Sequence, residues 1–90
     1  MNNNRTIIFQ GVEYVKDDSA DFQKGDHVAT EEFQGEELIG HTVKKIAFRK
    51  GHKDQFRDKR MAEVYFEGEI GKTSVVGFGT GWFKVKKKQQ

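Results

Sequence analysis

The stretch Lys24–Phe48, KGDHVATEEFQGEELIGHTVKKIAF, decides the fold. Lys24-Gly25-Asp26 reads as a turn that feeds a strand, His27-Val28-Ala29-Thr30, whose branched and apolar residues suit a pleated surface. The polar segment Gln34-Gly35-Glu36-Glu37 reads as a loop, with Ile39-Gly40 as a bend after it. A second strand then runs through residues 41–50. Val43 and Ile46 are three apart while Ile46 and Phe48 are two apart, so strict alternation fails at Lys44-Lys45 and predicts a β-bulge there.

Working outward from this pair, both flanks read as further strands. Residues 1–4 are polar and expected to be disordered. Thr6–Phe9 and Val12–Val15 flank Gln10-Gly11, which predicts a tight hairpin with Ile8 opposite Tyr14. Asp17–Asp21 is a polar connector in which Asp18 or Ser19 caps a short helical turn reaching Gln23. Arg49–Arg60, RKGHKDQFRDKR, is too charged for a core and too long for a tight turn, so it reads as a protruding loop. Met61–Glu67 alternates, with Ala62, Val64 and Phe66 on one face. Gly68–Gly71 is a turn, Thr73–Phe78 a strand, Gly79-Thr80-Gly81 a turn, and Trp82–Lys86 the last strand, with Phe83 and Val85 inward. Residues 87–90 form a basic tail.

Composition agrees with this reading. Ninety residues hold one domain, and a core this small needs large side chains to be stable. Eight Phe, two Tyr and one Trp supply them, against a single leucine, Leu38. Cysteine is absent, which excludes a disulfide framework and thiolate metal ligands. No apolar run suits a signal peptide or a membrane span, so a cytoplasmic protein is expected. The net charge of +2 conceals a division. Glu13–Glu37 holds nine acids against Lys16 and Lys24, whereas residues 38–90 hold thirteen Lys and Arg against five acids. Either a basic face meets an anionic partner, two faces pair between subunits, or the fold interleaves the halves.

Lys24-Gly25-Asp26-His27-Val28, with Gly35, Gly40, Val43 and Ile46 following, resembles the KOW motif of small SH3-like barrels. The resemblance covers about a quarter of the chain. It implies an all-β domain over residues 5–86: a five- or six-stranded SH3-like barrel with an N-terminal hairpin. In nucleic-acid-binding KOW domains the intervening loop is basic, whereas here it carries Glu31, Glu32, Glu36 and Glu37. The hairpin Phe9–Val15 ahead of a Gly-Asp-x-Val strand also resembles small bacteriophage proteins. That resemblance implies an accessory or anti-defence protein that binds and inhibits a host protein or sequesters a defence signal, as a homo-oligomer. Its acidic loop would then meet a basic partner or a second subunit.

No catalytic constellation is encoded, so a non-enzymatic role is expected, with no cofactor and no metal. Gly71-Lys72-Thr73 lacks the glycine that a phosphate-binding loop needs five positions earlier, where Phe66 stands. Gly77-Phe78-Gly79-Thr80-Gly81 favours a hairpin turn over an anion site, because no helix follows it. His27, His41 and His52 lack ligand spacing. What remains is basic residues interleaved with aromatics. Arg49, Lys50, Lys53, Arg57, Lys59 and Arg60 surround Phe56, and Trp82 shares a strand face with Lys84 and Lys86. Cations neutralise phosphates and exposed rings stack on bases, so these residues are the expected surface for nucleic acid or a phosphate-bearing nucleotide.

Overall fold

The computed structural model describes residues 6–19, 21–48, 60–69 and 71–88. Those residues are all-β. Seven strands form one antiparallel sheet: β1 (Thr6–Phe9), β2 (Val12–Lys16), β3 (His27–Gln34), β4 (Glu37–Phe48), β5 (Met61–Phe66), β6 (Ser74–Gly77) and β7 (Trp82–Lys87). Their order is β1-β2-β7-β3-β4-β5-β6. Among the described residues, five strands, β3–β7, thus follow the two of the N-terminal hairpin. The sheet is not closed: the ladder ends at β1 and at β6. The N-terminal hairpin forms as expected and its β2 joins β7, so it belongs to the same sheet.

Two apolar clusters lie on opposite faces of the central trio β7-β3-β4. Phe22, Val28, Ile46, Val64, Phe66 and Val76 form one, with Ala62 and Trp82 against it. Ile7, Tyr14, Ala29, Val43 and Val85 form the other, with Phe9, Val12 and Phe83 against it. Successive side chains of a strand point to opposite faces. The neighbours Val28 and Ala29, both fully buried, therefore serve different cores, as do Trp82 and Phe83. The sheet curls one way at its β1 end, carrying Ile7 over Val43, and the other way at its β6 end, carrying Val76 toward Trp82.

This double curl corrects the reading of β4. Val43 and Ile46 are an odd number apart because they face different cores, and Lys44 and Lys45 stay in regular register with Val28 and His27. The irregularities lie on either side. Ile39 is the extra residue between Gly40 and Leu38, and Ala47 the extra one between Ile46 and Phe48. The hairpin register also differs by one residue: Ile7, not Ile8, faces Tyr14, which buries Ile7 and turns Ile8 out. Gln10 and Gly11 both take positive φ (52° and 80°), the requirement of a type I′ turn.

Two segments expected to be loops or helix are neither. Glu31–Gln34 continues β3, and Glu37–Gly40 begins β4, so the acidic stretch is an exposed two-stranded ribbon turned by Gly35-Glu36. Among its described residues the connector 17–26 forms no helical turn. Instead the Asp17 carboxylate accepts a bond from the Ser19 amide at 2.9 Å, and the Asp26 carboxylate accepts one from the Gln23 amide at 2.7 Å. Short polar side chains satisfy the backbone locally here and compete with helix. The connector is tied to β7 by Asp17 N–H donating to Lys84 O, and to β4 by Gly25 N–H donating to Ile46 O. Between those ties Phe22 drops into the first core. At the other terminus β7 includes Lys87, and Lys88 N–H donates to Glu13 O, so the first half of the basic tail belongs to the sheet.

Candidate functional site

An open cleft of about 520 Å³ lies at the start of β7. Its walls come from segments far apart in sequence: Lys16–Ser19 at the end of β2, Arg60 before β5, and the turn that leads from Gly77 at the end of β6 to β7. Trp82, Phe83 and Phe22 supply its aromatic lining. The close approach of the walls has a specific cause. Gly77 takes φ of 126°, and a Cβ there would sit 2.0 Å from the Arg60 carbonyl oxygen. Only glycine lets the end of β6 approach the start of β5 this tightly, which places Arg60 beside the turn.

At the mouth, the Arg60 guanidinium lies 4.7 Å from the centre of the Phe78 ring, a cation–π geometry. Phe78 is 68% exposed, the largest exposure among the large apolar side chains described. Nearby, Lys16 lies 5.0 Å from the centre of the Phe83 ring. The turn itself is closed on its own carbonyl: Thr80 donates to Gly77 O from its amide at 3.1 Å and from its hydroxyl at 2.8 Å. This is turn geometry, and it uses the Thr80 amide that an anion would otherwise take.

The residues expected to bind ligand separate into three groups. Arg49, Lys50, Lys53, Phe56, Arg57 and Lys59 lie outside the described residues. Arg60, Trp82 and Lys84 do meet at the cleft, but not as equals. Trp82 packs on the first core with its ring 5.0 Å from that of Phe66, so it floors the cleft and is not a free platform. Lys84 faces inward, and its side chain is only 11% exposed. Its ammonium sits 3.1 Å from the Asp26 carboxylate and 3.9 Å from that of Asp17, and donates to Ser19 Oγ at 2.9 Å and Asp21 O at 2.5 Å. The third group is Lys86, which is exposed on β7 and does not line the cleft. The shared strand face is therefore real, but its first two members are covered by the connector.

Electrostatics around the cleft are mixed. Glu31, Asp17 and Asp18 join Lys16, Arg60 and Lys84 in the walls. The Asp17 carboxyl is held below the usual carboxylate range, first by the Ser19 amide that bonds it and also by the Lys84 charge, with partial burial opposing. On the second core, burial pushes the His27 imidazole below its ordinary value, and the Lys87 and Lys45 charges add to the shift. His27 packs against Tyr14 with ring centres 5.3 Å apart, whereas His41 stands opposite Glu31 on the ribbon.

Phe78, Lys16 and Phe22 were missed from sequence. An aromatic residue held between two turn glycines was the one available signal for Phe78, since such a ring has no core to enter. The other two reach the cleft only through tertiary closure. No family model, no curated protein and no solved structure matches this chain.

Proposed function

We propose that this chain is a non-enzymatic binding protein that takes nucleic acid, or a phosphate-bearing nucleotide, at the cleft between the β6–β7 turn and the connector. One observation supports it most: the Arg60 guanidinium and the exposed Phe78 ring stand together at the mouth. A ring face stacks on any base, while a guanidinium presents a planar fork to a phosphate. Arg60 is also the last residue of the basic stretch 49–60, so further cations directly precede it along the chain. Lys16 extends the positive rim on the opposite wall. Lys84 does not bind ligand in this reading. It holds the connector wall in place.

The test is fluorescence anisotropy with a labelled single-stranded oligonucleotide and, separately, with a labelled nucleoside triphosphate. Binding is expected at about 50 mM salt and is expected to weaken steeply as salt rises, because phosphate contacts release counterions. Phe78→Ala is expected to cost about 1–3 kcal/mol, the range for one stacked base. Arg60→Ala should weaken binding and flatten its salt slope. Preference for one probe over the other decides between polymer and mononucleotide. Failure of both probes to bind, or binding indifferent to salt, removes the reading.

A further inference from the structure

The β3–β4 ribbon is a second surface, which meets the cleft at Glu31 and extends away from it. β7 pairs with β3 only over residues 27–30, and β5 meets β4 only at Ile46 and Phe48. Beyond those points no third strand flanks the ribbon among the described residues. It nonetheless carries large apolar side chains. Phe33 stands directly opposite Leu38, and the bulged Ile39 follows; Phe33 is 54% and Ile39 59% exposed. Around them are four glutamates between residues 31 and 37, with no Lys or Arg anywhere from Gly25 to Val43. An apolar strip in an acidic frame fits an apolar strip in a basic frame.

The chain itself presents one. Register places Ile8 opposite Glu13, and Val15 opposite Lys86. Directly opposed side chains share a face, as do residues two apart, so Ile8, Val15, Lys86 and Lys88 project from one face of β1-β2-β7. Ile8 is 65% exposed, and Lys86 and Lys88 are exposed beside it. Glu13 is the acid on this patch, and Lys88 lies 3.9 Å from it. Ribbon-on-ribbon contact about a two-fold axis would bring eight glutamates together and is disfavoured. Ribbon-on-patch contact pairs opposite charges, and a two-fold axis forms it twice.

We propose that this protein self-associates as a two-fold dimer in which the acidic ribbon of each copy lies on the Ile8–Val15–Lys86 face of the other. Sedimentation velocity tests it. Wild-type protein is expected to show a concentration-dependent dimer at about 50 mM salt that weakens at about 500 mM, where screening is strong. Glu36→Lys with Glu37→Lys, at the ribbon tip, should weaken the dimer by about tenfold or more, as should Lys86→Glu with Lys88→Glu. Mixing these two variants restores both complementary contacts, so the mixture should dimerise more tightly than either variant alone. Phe33→Ser with Leu38→Ser should abolish the dimer while leaving the circular dichroism of the sheet unchanged. Wild-type protein that stays monomeric at every soluble concentration overturns the proposal and assigns the ribbon to a different, cationic partner. A dimer indifferent to these variants, or a mixture that stays monomeric, overturns it equally.

Discussion

The Lys84 ammonium reaches the Asp26 carboxylate at 3.1 Å, and so a residue of the last strand fixes the end of the connector that enters β3. The same ammonium donates to Ser19 and Asp21, which holds Phe22 over the first core. Lys84→Met preserves the stem but leaves two poorly solvated carboxylates without their cation. We expect a loss of about 2 kcal/mol in urea denaturation, of the order found when a charged hydrogen-bonded group loses its partner. An unchanged midpoint would show that the connector docks without it.

Gly77 and Gly79 lie in one turn and should respond differently to the same change. Gly79→Ala meets nothing within 4 Å and bears only the strain of a positive φ of 82°, about 1–2 kcal/mol. Gly77→Ala would drive a methyl group into the Arg60 carbonyl at 2.0 Å, parting β5 from β6 at about 4 kcal/mol or more. Thermal denaturation of the two variants side by side checks the ordering.

His27 should make stability fall on mild acidification. Burial lowers its folded pKa, so below the ordinary imidazole value the unfolded chain takes up a proton that the folded chain resists. The stability it contributes is present above pH 6.5 and is lost as pH falls from there through the lowered folded value. Denaturation midpoints at about pH 7.5 and pH 5.5 should differ more for wild type than for His27→Gln, which cannot titrate. Equal pH dependence in the two proteins would refute the assignment.

Ile46 and Ile39 belong to the same strand and separate core from surface. Ile46 is fully buried, so Ile46→Ala should cost about 2–5 kcal/mol through lost contact and an unfilled cavity. Ile39→Ala lies on the exposed ribbon and should change stability by less than about 0.5 kcal/mol. Urea titration of both variants tests whether the ribbon contributes to the fold or only to what the fold meets.

Where one face of a strand is wet and the other dry, the sequence was readable. Ala62, Val64 and Phe66 show it, and the two-residue period places β5 correctly. Readability fails where that contrast disappears. Along β4, Val43 and Ile46 serve cores on opposite faces, and an odd spacing reads as a bulge when one core is assumed. Glu31–Gln34 has both faces wet, so its alternation carries no apolar signal and it reads as loop. The candidate site was legible in kind but not in membership. The Arg60–Trp82 neighbourhood follows from basic and aromatic clustering, yet Lys84 lies too far inward to count as surface charge. Its partners, Asp17 and Asp26, come from the acidic half of the chain, so the halves interleave there. Charge order along a chain cannot report that, because only the sheet order β2-β7-β3 brings the segments together.

An unclosed sheet leaves raw margins where a stray strand can zip on, and templated growth into fibres begins at such margins. Here β1 and β6, the outermost strands, are each four residues long and offer few hydrogen bonds to an intruder. The unflanked ribbon is longer, but glutamates line it, and stacking copies edge to edge would compress their charge. Brevity at two rims and like charge at the third are features that disfavour such growth without closing the sheet.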